Sequence, residues 1–229
     1  MSDPRDKYIG KVVRGKSFAD VGGLWGTVNE KVSVAHQAGA QTLTMIDVTP
    51  PGHELWQLFE QRRVSLHLPA VQVLSGDIVS LVKAQTCPQF DVVHCSGVLY
   101  HLPNPLELVL ALRQITREYL VLSSSITATT VTSDRGTLHV PTGAMLFIPA
   151  LQKDEHAIVA TYWRRFVGDG ALGLTKEITA WPLEDFGPWW WLPTAESLKA
   201  LCRVAGFMCQ DSALMWNDNA LVQLLSVNS

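Results

Sequence analysis

Cysteine, net positive charge and long apolar runs are all scarce in this chain, and each scarcity narrows what it can be. Four cysteines occur in 229 residues: Cys87, Cys95, Cys202 and Cys209. None forms a C-x-x-C pair, and no histidine stands beside them at zinc-ligand spacing, so no metal ligand set is predicted. Cys95 and Cys202 lie in apolar patterns and read as buried free thiols. No apolar run is long enough to span a bilayer. Residues 1–6 are polar and lack the apolar stretch of a secretion signal. The expectation is a cytoplasmic protein with no membrane partner. Lys and Arg number 18 against 21 Asp and Glu, a net charge of −3, so no global positive field gathers nucleic acid. The compact basic pairs are Arg62 with Arg63 and Arg164 with Arg165, too little for a phosphate track unless a homodimer adds more. No internal repeat or low-complexity tract is found.

What the chain does have is an apolar fraction of 47% with 17% charged residues, the balance of a compact globule. Its length allows one large domain, or one domain with an elaborated lid. Over the first two-thirds, strand and helix patterns alternate. Strands are predicted at 16–21, 42–48, 71–74, 90–95 and 119–125. Helices are predicted at 27–38, 53–62, 78–84 and 106–116. Segment 90–95 (FDVVHC) is nearly all apolar, as a strand covered on both faces should be. This alternation predicts an α/β fold, a parallel sheet with helices on both faces. After Ile126 the rhythm changes, and residues 127–192 are too long for a plain connection. A helix capped by Thr194 runs to Val204. Strands at 209–216 and 220–227 then flank Asn217-Asp218-Asn219, a hairpin signal.

The first strand ends Asp20-Val21-Gly22-Gly23-Leu24-Trp25-Gly26. Glycine is needed where backbone approaches a ligand closely or turns with positive φ, and the next helix, starting near Thr27, would aim its free N–H groups at that turn. Taken alone, such glycines also occur in ordinary tight turns. Asp47 ends the second strand, where an acid commonly meets ribose hydroxyls; a solvated strand end is the plainer reading. Asp77 follows the third strand. The segment 90–105, FDVVHCSGVLYHLPNP, carries the fourth strand into a loop at the mouth of the same site. The nicotinamide pattern G-x-G-x-x-G fails, because Leu24 and Thr27 stand at its second and third glycines.

In this order, DVGGLWG, MIDV, SGDI and FDVVHCSGVLYHLPNP resemble the class I S-adenosylmethionine (SAM)-dependent methyltransferases over residues 16–126. The resemblance implies a Rossmann-like, seven-stranded, mostly parallel sheet whose last strand is antiparallel beside the fifth. The segments implied are a cofactor core at 1–126, a substrate lid inserted at 127–192, and a helix and hairpin at 193–229 that complete the sheet. It further implies SAM as cofactor and S-adenosylhomocysteine (SAH) as product. Asp20, Gly22, Gly23 and Gly26 would form the turn around the methionine and ribose, Asp47 would take the ribose hydroxyls, Asp77 and Ile78 would flank adenine, and Ser96 would lie at the methionine end. Leu24 departs from the family's D-x-G-x-G-x-G, with a glycine at 23 instead. Few residues precede the first strand, so they form one helix at most, bringing Tyr8 over the cofactor.

The lid holds Trp163, Trp181, Trp189, Trp190 and Trp191. Most are expected to pack the lid onto the sheet. Trp163 and Trp191, with Tyr100 and His101 from the loop after the fourth strand, are the candidates to face a small-molecule acceptor. His101 is the candidate base for a hydroxyl acceptor, or else it only shapes the pocket; His139 and His156 are lid alternatives. The stretch 189–207 resembles the tail of the tRNA wobble-uridine methyl- and carboxymethyltransferase group, which keeps an RNA-modifying enzyme as an alternative. A non-catalytic SAM-binding partner subunit is a third.

Overall fold

The computed structural model describes residues 3–24, 30–168, 173–176 and 187–227. Its centre is a seven-stranded sheet. The strands are β1 (Ser17–Val21), β2 (Thr42–Asp47), β3 (Gln72–Ser75), β4 (Phe90–Ser96), β5 (Thr116–Ser125), β10 (Phe207–Met215) and β11 (Ala220–Val227). Their order is β10-β11-β5-β4-β1-β2-β3. β1 to β5 pair in parallel. β11 runs antiparallel to both neighbours, wedged between β5 and β10. This is the parallel α/β sheet that the strand–helix alternation predicts, with the antiparallel last strand that the resemblance implies.

Helices cover both faces. α4 (Ile78–Lys83), α5 (Pro105–Ile115) and α7 (Ala195–Val204) bury Ile78, Leu108, Leu112, Leu198 and Cys202 against Val93, Cys95 and Leu120. On the other face α1 (Pro4–Val12), α2 (Val32–Gln37) and α3 (Glu54–Ser65) pack Ile9, Val32 and Phe59 over Phe18, Met45 and Val92. The alternation along β4, with Val92 and Val93 facing opposite cores, is why its sequence is apolar throughout. Helix starts follow local chemistry. Asp3 accepts from the N–H of Arg5 ahead of Pro4, Asn104 from that of Glu107 ahead of Pro105, and Thr194 from that of Ser197.

The helix predicted at 27–38 starts later. Residues 27–29 lie outside the described residues, Glu30 and Lys31 are not helical, and α2 begins at Val32. Carboxylates hold that entry. Asp20 accepts from the Lys31 N–H at 2.7 Å, and Glu30 from the Ser33 N–H at 2.9 Å. At this entry the N–H groups of Lys31 and Ser33 are therefore engaged by the chain's own carboxylates.

Between β5 and α7 the chain builds two small pairings. β6 (Thr130–Ser133) pairs with β7 (Gly136–His139), and β8 (Met145–Phe147) with β9 (Trp191–Pro193). With α6 (Lys153–Val167) they surround a third cluster: Tyr100, Ile148, Val159, Trp163, Leu174, Trp189 and Leu192. Among the described residues no helix is long and apolar enough to cross a membrane. No group of three or more His, Cys, Asp or Glu among them could hold a metal ion.

Candidate functional site

In a doubly wound sheet the ligand crevice opens outside the carboxyl ends of the strands, where the strand order reverses. Here that point lies between β1 and β4. A cavity of about 370 Å3 opens there, with residues at or just beyond the ends of β1, β2, β3 and β4 on its wall: Gly22, Asp47, Asp77 and Ser96. Val48, Ile78, Gly97, Tyr100 and His101 extend the wall, and Arg5 and Trp216 complete it. A wider groove of about 520 Å3 between α3 and β3 is lined by Trp56, Phe59 and Val73, with Glu60 as its titratable side chain. It lacks a convergent polar set.

The glycine turn is built from below. Gly22 has φ +78°, and a Cβ there would sit 2.3 Å from the Val98 methyl on the neighbouring loop, so only glycine fits. A Cβ on Gly23 would meet the Asp20 carboxylate at 2.5 Å and the Met45 methyl at 2.9 Å. Gly23 therefore serves the packing beneath the turn and is absent from the cavity wall. Asp20 is also beneath it, fully buried, with its carboxylate on His94 Nδ1 at 2.7 Å and on the Lys31 N–H. These two positions, expected to touch the cofactor, instead support the turn. Leu24 is fully buried in the core below the sheet, and its N–H donates to Asp47 at 3.2 Å. The missing glycine of the family pattern is thus a core residue. Gly26, with Trp25 and Thr27, lies outside the described residues.

Asp47 is 3% exposed and sits at the tip of β2. One of its oxygens accepts from the Thr49 N–H and hydroxyl, the other from Leu24. A carboxylate has about four acceptor sites, so capacity for a further donor remains on the cavity side. Asp77 caps α4, taking the Ser80 N–H and hydroxyl on a single oxygen.

Two wall residues, Arg5 and Trp216, stand outside the sequence expectation, whereas Ile78, Tyr100 and His101 are within it. Arg5, in the first turn of α1, donates through Nη1 to Ser96 Oγ at 3.0 Å. Asp3 clamps the rest of its guanidinium through Nε and Nη2. Burial works to raise the Asp3 carboxyl, but hydrogen bonds from Arg5 and Lys31 and the Arg5 charge hold it well below the usual carboxylate range. Arg5 is the one Lys or Arg on the cavity wall among the described residues. Tyr8, expected there, is 2% exposed in the core. Burial, and then Asp211, push its hydroxyl up to about 12. The capping pair Asp3-Pro4 announces the helix, but nothing local tells which side chain of its first turn reaches β4.

His101 Nδ1 lies 3.0 Å from the Pro188 carbonyl. A carbonyl only accepts, so in the neutral ring Nδ1 carries the proton and Nε2 the lone pair. Tyr100 is buried, and burial raises its hydroxyl, so it remains a phenol. Trp163 is 1% exposed in the cluster between β5 and α7, edge-on to Trp189 at 5.0 Å, and does not reach the cavity. Trp191 packs on Phe147 and donates to the Pro103 carbonyl at 3.0 Å, also off the cavity wall. His139 lies beside Thr130, and His156 Nε2 donates to the Leu174 carbonyl; neither lines the cavity. Trp181 lies outside the described residues. Among the described residues, the indole that lines the cavity is Trp216, at the start of the β10–β11 turn.

The family whose model matches is described as a methyltransferase domain, and the match covers residues 2–211. No curated protein sequence matches. Solved structures of the same fold include a possible exported protein from Bordetella parapertussis (TM-score 0.63, 13% identity, 99% of this chain and 66% of that one). Another is the magnesium protoporphyrin IX methyltransferase from Synechocystis with bound SAH (TM-score 0.58, 14% identity, 98% of this chain and 82% of that one). A third is the Burkholderia thailandensis 1,6-didemethyltoxoflavin-N1-methyltransferase, with its substrate and SAH bound (TM-score 0.57, 13% identity, 98% and 79%).

Proposed function

Since the chain belongs to the methyltransferase-domain family, we propose that its cavity binds SAM and presents the methyl group to a small-molecule acceptor at an O, N or C atom. One observation carries this reading: Gly22, Asp47, Asp77 and Ser96 converge from four successive strand ends on a single cavity. Gly22 lets the backbone approach the ligand. Asp47, with acceptor capacity left, takes ribose hydroxyls. Asp77 and Ile78 border adenine. Arg5, beside Ser96, supplies the positive charge that a methionine carboxylate needs.

When bound, SAM supplies a methyl group already activated by its sulfonium, so holding the acceptor in line provides much of the acceleration. His101 takes the proton of a hydroxyl acceptor at Nε2 while the Pro188 carbonyl fixes its tautomer. Two of the fold neighbours are named for small-molecule methylation and carry SAH, which supports the same choice here. Calorimetry with SAH tests the reading: saturable binding is the expected result, and no heat at high micromolar concentration would overturn it.

A further inference from the structure

Resting on that methyl-transfer reading, we propose that Trp216 is the platform for the acceptor and that the acceptor is a planar, conjugated ring. Trp216 lines the cavity beside Arg5, Tyr100 and His101, yet is 48% exposed. Its backbone is left-handed, with φ +52°, as are Asn217 and Asp218 after it. An indole is a poor choice on both counts. Asparagine or glycine adopts that backbone with less strain, and an exposed indole gives the fold little burial. Strained residues that the surroundings hold in place cluster at ligand clamps.

The surroundings do hold this one. Asn219, 1% exposed, donates from Nδ2 to the carbonyls of Trp216 and Asn217 and accepts the Tyr162 hydroxyl of α6 at 2.6 Å. The turn is thus fixed from the lid while its indole is left at the cavity mouth. The Arg5 guanidinium lies 5.9 Å from the indole centre, within cation–π range. A cation at the ring favours an electron-rich partner, which a methyl acceptor is by nature. Flat rings stack on such a face whatever their substituents.

The test uses 2-naphthol and 2-decalol, which share a carbon frame and a hydroxyl but differ in flatness. Each is titrated by ligand-observed NMR against the protein with and without SAH, and SAH binding itself is followed by calorimetry. Wild type is expected to favour 2-naphthol by about tenfold, the scale of one stacked ring. Trp216→Phe should keep part of that preference. Trp216→Asn should abolish it while weakening SAH less than Arg5→Ala does, since the guanidinium stays in place, and should keep the melting temperature at or above wild type. Equal affinity for the two alcohols, no binding of either, or a preference that survives Trp216→Asn overturns the proposal. So does a lower melting temperature for Trp216→Asn, which would make the indole a prop of the fold. Failure to bind SAH would instead strike the methyl-transfer reading, and the two outcomes are read separately.

Discussion

Asp20 touches no cavity surface, yet it sets the turn that does. Replacing it with alanine strands His94 Nδ1 and the Lys31 N–H in a buried place. The expected loss is about 1–3 kcal/mol, read by urea denaturation, with SAH affinity falling as the turn loosens. Gly22→Ala forces a side chain into φ +78° and against Val98; calorimetry should show SAH binding greatly weakened or lost. Arg5→Ala is expected to weaken SAH roughly tenfold or more, the worth of a charge-assisted bond. It should leave 5′-methylthioadenosine, which lacks the carboxylate, nearly unchanged; equal weakening of both would remove Arg5 from the carboxylate. Asp47, Asp77 and Ser96 were legible in the sequence because each lies at or just beyond the end of a recognisable strand. Arg5 and Trp216 were not, since their approach to the cavity depends on how α1 and the hairpin dock. The burial of Trp163 could have been read: it lies four residues after Val159, on the inward stripe of α6.

Helix α1 closes the site at the level of elements. Lys31 Nζ, 6% exposed, bridges Asp3 and Asp6 on its first turn at 2.9 and 2.6 Å. Because the folded Asp3 carboxyl lies below its unfolded value, its contribution is present above about pH 4 and is lost as pH falls through the folded value. The melting temperature of Asp3→Asn should therefore lie below wild type at neutral pH. That gap should shrink on acidification, and a gap independent of pH would contradict the assignment. The late start of α2 was invisible locally, because the Asp20 carboxylate that engages Lys31 arrives from β1. The β10–β11 hairpin was legible, since Asn217 and Asp218 readily take the positive φ angles they have in its turn; the positive φ at Trp216, read as the end of the strand, was not.

For the whole molecule, ligand and charge give the clearest readouts. SAH at a hundredfold excess over its Kd should add about 2.7 kcal/mol, roughly 5–10 °C in melting temperature for a chain of this size. Of the basic pairs noted in the sequence, Arg62 is held by Glu30 and Arg63 by Glu60, so neither offers bare charge to a phosphate backbone. The parallel α/β sheet was legible from the alternation of strands and helices, and the antiparallel last strand beside the fifth from the family resemblance. The fold of residues 127–192 was not, because its short strands pair across distances no local pattern reports: β8 with β9, for example, joins Phe147 to Trp191. The position of β11 has a consequence in time. Val222 pairs with Ser123, about a hundred residues earlier, and β11 fills the slot between β5 and β10. During synthesis β5 must leave the ribosome with its outer edge bare and wait several seconds for residues 220–227, at a pace of about 5–20 residues per second. Until that strand arrives, the backbone N–H and C=O groups along the outer edge of β5 stay unpaired. The cavity, with Trp216 on its rim, is complete only once the β10–β11 hairpin has been made.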